Sequence, residues 1–204
     1  MYWWRSMEML RWLGKARVAG QASSRSSRKS FDCFGQASKV LTVPSKISAG
    51  LLMYRRTGGR LEVFLAHPGG PFFASKDAGH WTIPKGEVEP DEDHLATAIR
   101  EFKEEIGIDI DPKSSFIDLG TIQQKGGKTV RAWAVEQDCP EPFACKSNLF
   151  EMQWPPRSGK WQSFPEVDRA QFFSLEEARA RIKDTQLPLI DRLDAAVRTT
   201  PEQH

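Results

Sequence analysis

The 204-residue chain carries 29 lysines and arginines against 27 aspartates and glutamates, a net charge of +2, and 39% of its residues are hydrophobic. That length and composition allow one domain of ordinary size with extensions and give no expectation of a second full domain. Residues 1–45 hold eight of the cations against only Glu8 and Asp32, so the remainder is net acidic, which argues against a nucleic-acid-coating surface and a stable nucleic-acid partner.

Cys33, Cys139 and Cys145 form no Cys-x-x-Cys pair, so neither a disulfide framework nor a zinc site is expected, and a reducing, cytoplasmic compartment is the default. No apolar stretch approaches the length of a membrane span, and the N-terminus lacks the continuous apolar run of a secretory signal. Met1 to Gly14 reads as a short amphipathic helix, and the Ser, Gln and Arg-rich run from Gly20 to Lys39 as disordered. Residues 1–45 are thus expected to be a disordered basic extension ahead of one folded domain at 46–204. The Arg and Ser content is also that of a mitochondrial presequence, although a plain tail or an upstream start codon is the favoured reading.

Within the domain, Ile47 to Arg55 and Leu61 to His67 are aliphatic runs joined by Arg56-Thr57-Gly58-Gly59, a hairpin signature. A Pro68-Gly-Gly-Pro71 loop leads to His80-Trp-Thr-Ile-Pro-Lys-Gly86 and then to an acidic helix within 86–108. Phe116 to Gln124 and Thr129 to Gln137 predict two strands joined at Gly126-Gly127. Residues 138–165, with five prolines between aromatics, predict a long loop. Ala170 to Phe173 predicts a last strand, and Leu175 to Lys183 and Leu189 to Arg198 predict helices.

The acidic helix carries the chemistry. Glu101, Glu104 and Glu105 stand at i, i+3 and i+4, so their carboxylates share one side. Leu95, Ile99, Phe102 and Ile106 form an apolar stripe expected to bury, leaving the acids toward solvent or a ligand. Asp93 is the expected N-cap and Gly107 the expected C-cap. Clustered carboxylates suit a hard divalent cation, and Mg²⁺ characteristically shares its shell between carboxylates and substrate phosphates, so a phosphate substrate is expected with the metal.

This segment resembles the Nudix box, Gly-x5-Glu-x7-Arg-Glu-U-x-Glu-Glu-x-Gly-U with U a bulky apolar residue. Gly86, Glu92, Arg100, Glu101, Phe102, Glu104, Glu105, Gly107 and Ile108 meet every specified position. An acidic surface helix would not also bring Gly86, Glu92 and Arg100 into register. The resemblance implies an α/β/α sandwich around a mixed sheet, and within the family the nearest likeness is to asymmetrical diadenosine tetraphosphate hydrolases. It rests on His80-Trp-Thr-x-Pro-Lys-Gly86, Val88-Glu89-Pro90, Lys128-Thr129-Val130 with Trp133, and Glu166 ahead of Phe173-Ser-Leu-Glu-Glu-Ala178.

The implied reaction is Mg²⁺-dependent hydrolysis of diadenosine tetraphosphate to ATP and AMP, with Mn²⁺ a possible substitute. Nucleoside triphosphates, oxidised ones included, or capped RNA ends are alternatives of the same mechanism, and a non-catalytic nucleotide-binding module is the alternative of another class. By motif position, Glu101, Glu104, Glu105 and the Gly86 carbonyl would hold the metal, with Glu166, or secondarily Glu151, as an outlying carboxylate. Glu101 or Glu105 would be the base, and Arg100 with Glu92 would orient the ligands. Lys85 is the candidate phosphate contact, and His67 and His80 are weaker ones; Trp81 reads as core in preference to pocket wall. That subfamily is associated with an adenine-stacking tyrosine after the box, whereas Tyr2 and Tyr54 both precede it. Phe150, Trp154 and Trp161, beside Arg157 and Lys160, are the replacement candidates. The sequence is silent on oligomeric state.

Overall fold

The computed structural model describes residues 47–199 apart from 141, so the expectations for residues 1–45 lie outside the described residues. Strands β1 (Ile47–Thr57) and β2 (Arg60–Pro68) form the expected hairpin, turning at Gly58-Gly59, both at positive φ. β1 also runs parallel to β5 (Thr129–Glu136), which pairs antiparallel with β4 (Phe116–Gln123), while β2 pairs antiparallel with β8 (Val167–Ser174). The sheet is therefore mixed, in the order β4-β5-β1-β2-β8.

Strand alternation sorts the sheet's side chains into two cores. On one face Leu51, Met53 and Phe64 pack with Ala98, Phe102 and Ile106 of helix α1 (His94–Ile106). On the other, Leu52, Val63, Leu65 and Phe173 pack with Ala178 of α2 (Leu175–Arg181) and with Leu189, Ile190 and Leu193 of α3 (Leu187–Thr199). Phe102 and Ile106 are fully buried, each stabilising the layer by about 1.5–3 kcal/mol of apolar burial. The α/β/α sandwich expected from the sequence is the fold observed.

A short strand that the sequence reading did not anticipate, β3 (Lys85–Glu87), positions the site. The β1–β2 ladder ends at Tyr54↔Val63, and from there toward the start of β1 the two strands separate. Residues 82–87 fill the gap, with the Ala66 N–H donating to Thr82 O at 2.9 Å and the Leu51 N–H to Pro84 O at 3.1 Å. β3 then pairs with β1 as Gly50↔Lys85, Ala49↔Gly86 and Ser48↔Glu87.

Residues 138–165 also depart from expectation, because they include a second sheet of two strands, β6 (Leu149–Gln153) and β7 (Trp161–Pro165). The register pairs Gln153 with Trp161 and Leu149 with Pro165. Pro155 and Pro156 fall in the connecting turn and Pro165 at the strand end, positions where a missing N–H does not interrupt a ladder. The prolines thus frame a hairpin and do not exclude one.

Candidate active site

Helix α1 is set by its ends. The Asp93 carboxylate accepts from the Leu95 and Ala96 N–H groups, both at 3.0 Å, and Gly107 closes the helix at φ 87°, a left-handed conformation that suits glycine. All four residues of the expected stripe pack against the core, Leu95 and Ile99 half-buried at its edge, and Thr97, Ala98 and Glu101 are buried beside Phe102 and Ile106. The buried face is therefore wider on the glutamate side, and Glu101 does not look outward but is 0% exposed.

Gly86 makes that burial possible. A Cβ at Gly86 would overlap the Glu101 carboxyl group, so only a residue without a side chain lets the carboxylate lie against β3. Gly50 repeats the device one pair along, since a Cβ there would press on Ile83 and on the Lys85 Cβ, 2.9 Å away. Two glycines in adjacent register therefore bring the Lys85–Gly86 backbone close to both strand and helix.

Arg100 ties the acids together. It donates bidentately to Glu92, at 2.9 and 3.0 Å, and its Nη1 reaches Glu101 at 2.7 Å and Glu104 at 3.2 Å. Its hydrogen bonds to Glu92 hold that carboxyl down at about 2, and the same pair raises the guanidinium's own value. Arg100 is thus an ion-pair hub on the helix side, half-buried and reaching the fully buried Glu101.

Glu105 lies on the other side of the cluster and accepts from the Lys85 N–H at 3.2 Å. Burial pushes its carboxyl up to about 8; nearby Lys85 opposes that shift, while Glu101 and Glu166 reinforce it. Glu166 therefore lies within electrostatic reach of Glu105, carried there by the bend between β7 and β8, where its N–H donates to Asn148 O and its carbonyl accepts from Gly69. Glu151, the alternative outlying acid, is exposed on β6 with Ser163 as its neighbour at 3.5 Å.

Among the described residues no three His, Cys, Asp or Glu side chains converge as a ready-made metal cluster. Glu101 and Glu104 are turned instead toward Arg100. The donor chemistry nevertheless fits a divalent ion. Carboxylate oxygens suit a hard cation, Gly86 lets the Glu101 carboxylate lie against the β3 backbone, and a cation would relieve the repulsion between Glu101, Glu105 and Glu166.

The remaining candidates separate. Lys85 lies beside Glu105. Trp154, Arg157 and Trp161 cluster at the far end of the β6–β7 hairpin, about 15 Å along it from Glu166 at the usual rise per residue. Trp154 packs edge-on against Phe72 with ring centroids 5.1 Å apart, Arg157 is exposed, and Trp161 is 65% exposed. His67 is fully buried, its Nδ1 at 2.6 Å from Asp168 and its Nε2 at 2.9 Å from Lys76 O, so both its polar atoms are engaged inside the fold. His80 Nδ1 faces the Ala78 carbonyl at 2.8 Å, and Trp81 is core, 2% exposed.

Sequence reasoning missed Gln186 and Lys183. The fully buried Gln186 carboxamide accepts from the Ile83 N–H at 2.9 Å and exchanges hydrogen bonds with Thr82. Lys183 reads in sequence as a lysine at a helix end, with nothing to say that the fold brings it within electrostatic reach of Lys85 and Glu105.

A family model described as NUDIX domain matches residues 44–193. The chain belongs to the Nudix family. Enzymes of this family generally use divalent metal ions. The asymmetrical bis(5'-nucleosyl)-tetraphosphatase of Caenorhabditis elegans is 36% identical to this Nudix chain over 111 residues, 52% of the chain and 76% of the relative. The structure of a C. elegans Ap4A hydrolase binary complex is similar at a TM-score of 0.53 and 25% identity, covering 75% of this chain and 99% of that one. The NUDIX domain of Shewanella oneidensis NrtR complexed with ADP ribose has the same TM-score of 0.53 at 15% identity, over 75% of this chain and 88% of that one, a likeness of fold alone. No helix among the described residues is long and apolar enough to cross a membrane.

Proposed function

We propose that this Nudix enzyme hydrolyses nucleoside polyphosphates with Mg²⁺, or Mn²⁺ in its place, and that diadenosine tetraphosphate, cleaved to ATP and AMP, is its substrate. The observation that carries the reading is the seating of Glu101 against Gly86 with Glu105 beside Lys85, which sets carboxylates for a metal next to a cation for a phosphate. The tetraphosphatase relative supports the choice of substrate. A second reading, a nucleotide-binding module without turnover, is disfavoured by the presence of every box glutamate.

In this reading Glu101, Glu104, Glu105 and the Gly86 carbonyl, with Glu166 as the outlying acid, hold the ion. The ion, when bound, polarises the phosphate, lowers the pKa of its water and offsets charge on the leaving phosphate. Glu101 or Glu105 takes the proton from the attacking water. Arg100 keeps Glu101 and Glu104 oriented through charge-assisted hydrogen bonds. Lys85 meets the phosphate chain as a point charge. A nucleobase would stack on Trp161 or Trp154 beside Arg157, and the exposure of Trp161 supports that assignment.

Residues 46–204 form the catalytic unit and residues 1–45 lie outside it, with the cytoplasm as the setting suggested by sparse cysteine usage. The test is a panel of diadenosine polyphosphates, nucleoside triphosphates, ADP-ribose, NADH and 5'-triphosphate RNA with Mg²⁺, products being resolved by chromatography. Diadenosine tetraphosphate should turn over with the highest kcat/KM and give ATP and AMP in equal amounts. Preferred cleavage of a triphosphate or of RNA ends would reassign the substrate, and binding without turnover would restore the module reading.

A further inference from the structure

One segment of the C-terminal helical layer pairs with the strand that leads into the box. The Trp81 N–H donates to Arg181 O at 3.1 Å and the Lys183 N–H to Trp81 O at 2.9 Å, a parallel bridge centred on Trp81 and Ile182. Gln186 fastens the other end of the segment to Thr82 and Ile83. Residues 181–186 are thereby tied at both ends to the strand that becomes Lys85 and Gly86 two residues later. The fully interior Ile182 side chain takes the core side of this bridge, and alternation sends Lys183 the other way.

Lys183 is half-buried and lies within electrostatic reach of Lys85 and Glu105. Burial pulls its amine down to about 8, Lys85 pulls in the same direction, and Glu105 opposes them. Two lysines are therefore held near each other, with Glu105 as counter-charge to both. Once Glu105 is committed to a divalent cation, that counter-charge is spent and two ammonium groups are left within electrostatic reach of a metal ligand. A multiply charged anion restores the balance, and compact ammonium groups suit phosphate oxygens.

We infer that Lys183 joins Lys85 in binding the substrate's phosphate chain, as a second ammonium delivered to the box by the segment after α2. The inference rests on the phosphohydrolase reading for the identity of the substrate. Its own content, that Lys183 binds a polyphosphate, is testable without turnover.

The experiment is calorimetric titration of inorganic tripolyphosphate into the full chain in saturating Mg²⁺, for the parent, Lys183→Met, Lys183→Arg and Lys85→Met. Lys183→Met should weaken binding about tenfold, the scale of losing one hydrogen bond between charged groups, with Lys85→Met doing likewise and Lys183→Arg retaining most of the affinity. Melting temperature should hold in Lys183→Met, since the lysine is a poorly hydrated charge and not a packing element; should that variant precipitate, Lys183→Gln deletes the same charge. With nucleotide substrate, KM should rise more than kcat falls. Tripolyphosphate binding equal to the parent's in Lys183→Met, or absent from the parent, overturns the inference. A parent that binds tripolyphosphate through Lys183 yet cleaves no nucleotide overturns the functional reading and leaves the anion site standing.

Discussion

The box segment, residues 81–107, and the β6–β7 hairpin, residues 149–165, hold the two halves of the candidate site in opposite physical states. In the box, Glu101 is fully buried, Gly86 is shaped around it, and Arg100 ties three carboxylates together. At the hairpin end the aromatics and cations are largely open to solvent, with Trp161 65% exposed and Arg157 and Lys160 at the surface. Groups that must hold a metal need geometry fixed to fractions of an ångström, which a packed core supplies. Groups that choose among nucleobases need only a face, and a solvent-exposed hairpin offers one that can differ between relatives without disturbing the core.

The largest expected effect lies in the box. Glu105→Gln keeps shape but removes a metal-binding charge, so kcat should fall on the order of 10²-fold or more with the fold intact. Its pH signature has a definite sign. Burial raises the native carboxyl to about 8, so without metal the folded state binds more protons than the unfolded state between the ordinary glutamate value of 4.5 and about 8. Stability of the metal-free parent should therefore fall as pH rises through that window, and the Gln variant should lack this component. Melting curves in chelator from pH 5 to 8 check it, and parallel curves for parent and variant would break the assignment.

A smaller effect is expected from Gly86→Ala, which drives a methyl into the Glu101 carboxylate. Relaxation of the helix against β3 should cost about 1–3 kcal/mol of stability, read by denaturant unfolding, together with loss of turnover. An unchanged midpoint would mean that the close seating of Glu101 is not needed.

At the hairpin, Trp161→Ala should raise KM for diadenosine tetraphosphate by ~1 kcal/mol or more while leaving stability unchanged, because the ring is exposed. Inorganic tripolyphosphate, which carries no base, should bind as before. A variant kinetically equal to the parent would place base recognition away from Trp161 and sharpen the contrast into one between a site and a structural hairpin.

The box was legible because its chemistry is local. Glutamates at i, i+3 and i+4, Asp93 at the N-cap and Gly107 at the C-cap all fall within one helix and its ends, where residue spacing fixes direction. The sandwich was legible from the order of strands and helices together with the resemblance carried by the box. What stayed hidden depends on contacts distant in sequence. The burial of Glu101 needs Gly86 across from it, Lys183 and Gln186 reach the strand before the box through Trp81 and through Thr82 and Ile83 respectively, and the β6–β7 pairing was masked by prolines that turn out to frame it. The aliphatic stripe located the packed face of α1, but a spacing rule that counts only apolar residues does not show that Thr97 and Glu101 are buried beside it.

The central claim is that the buried carboxylates hold a divalent ion, and direct titration of Mn²⁺, followed by its paramagnetic resonance, tests it without any substrate. The parent should bind Mn²⁺ saturably, with Mg²⁺ competing, and Glu105→Gln should weaken that binding by at least about tenfold. Equal Mn²⁺ affinity in parent and Glu105→Gln would contradict the account.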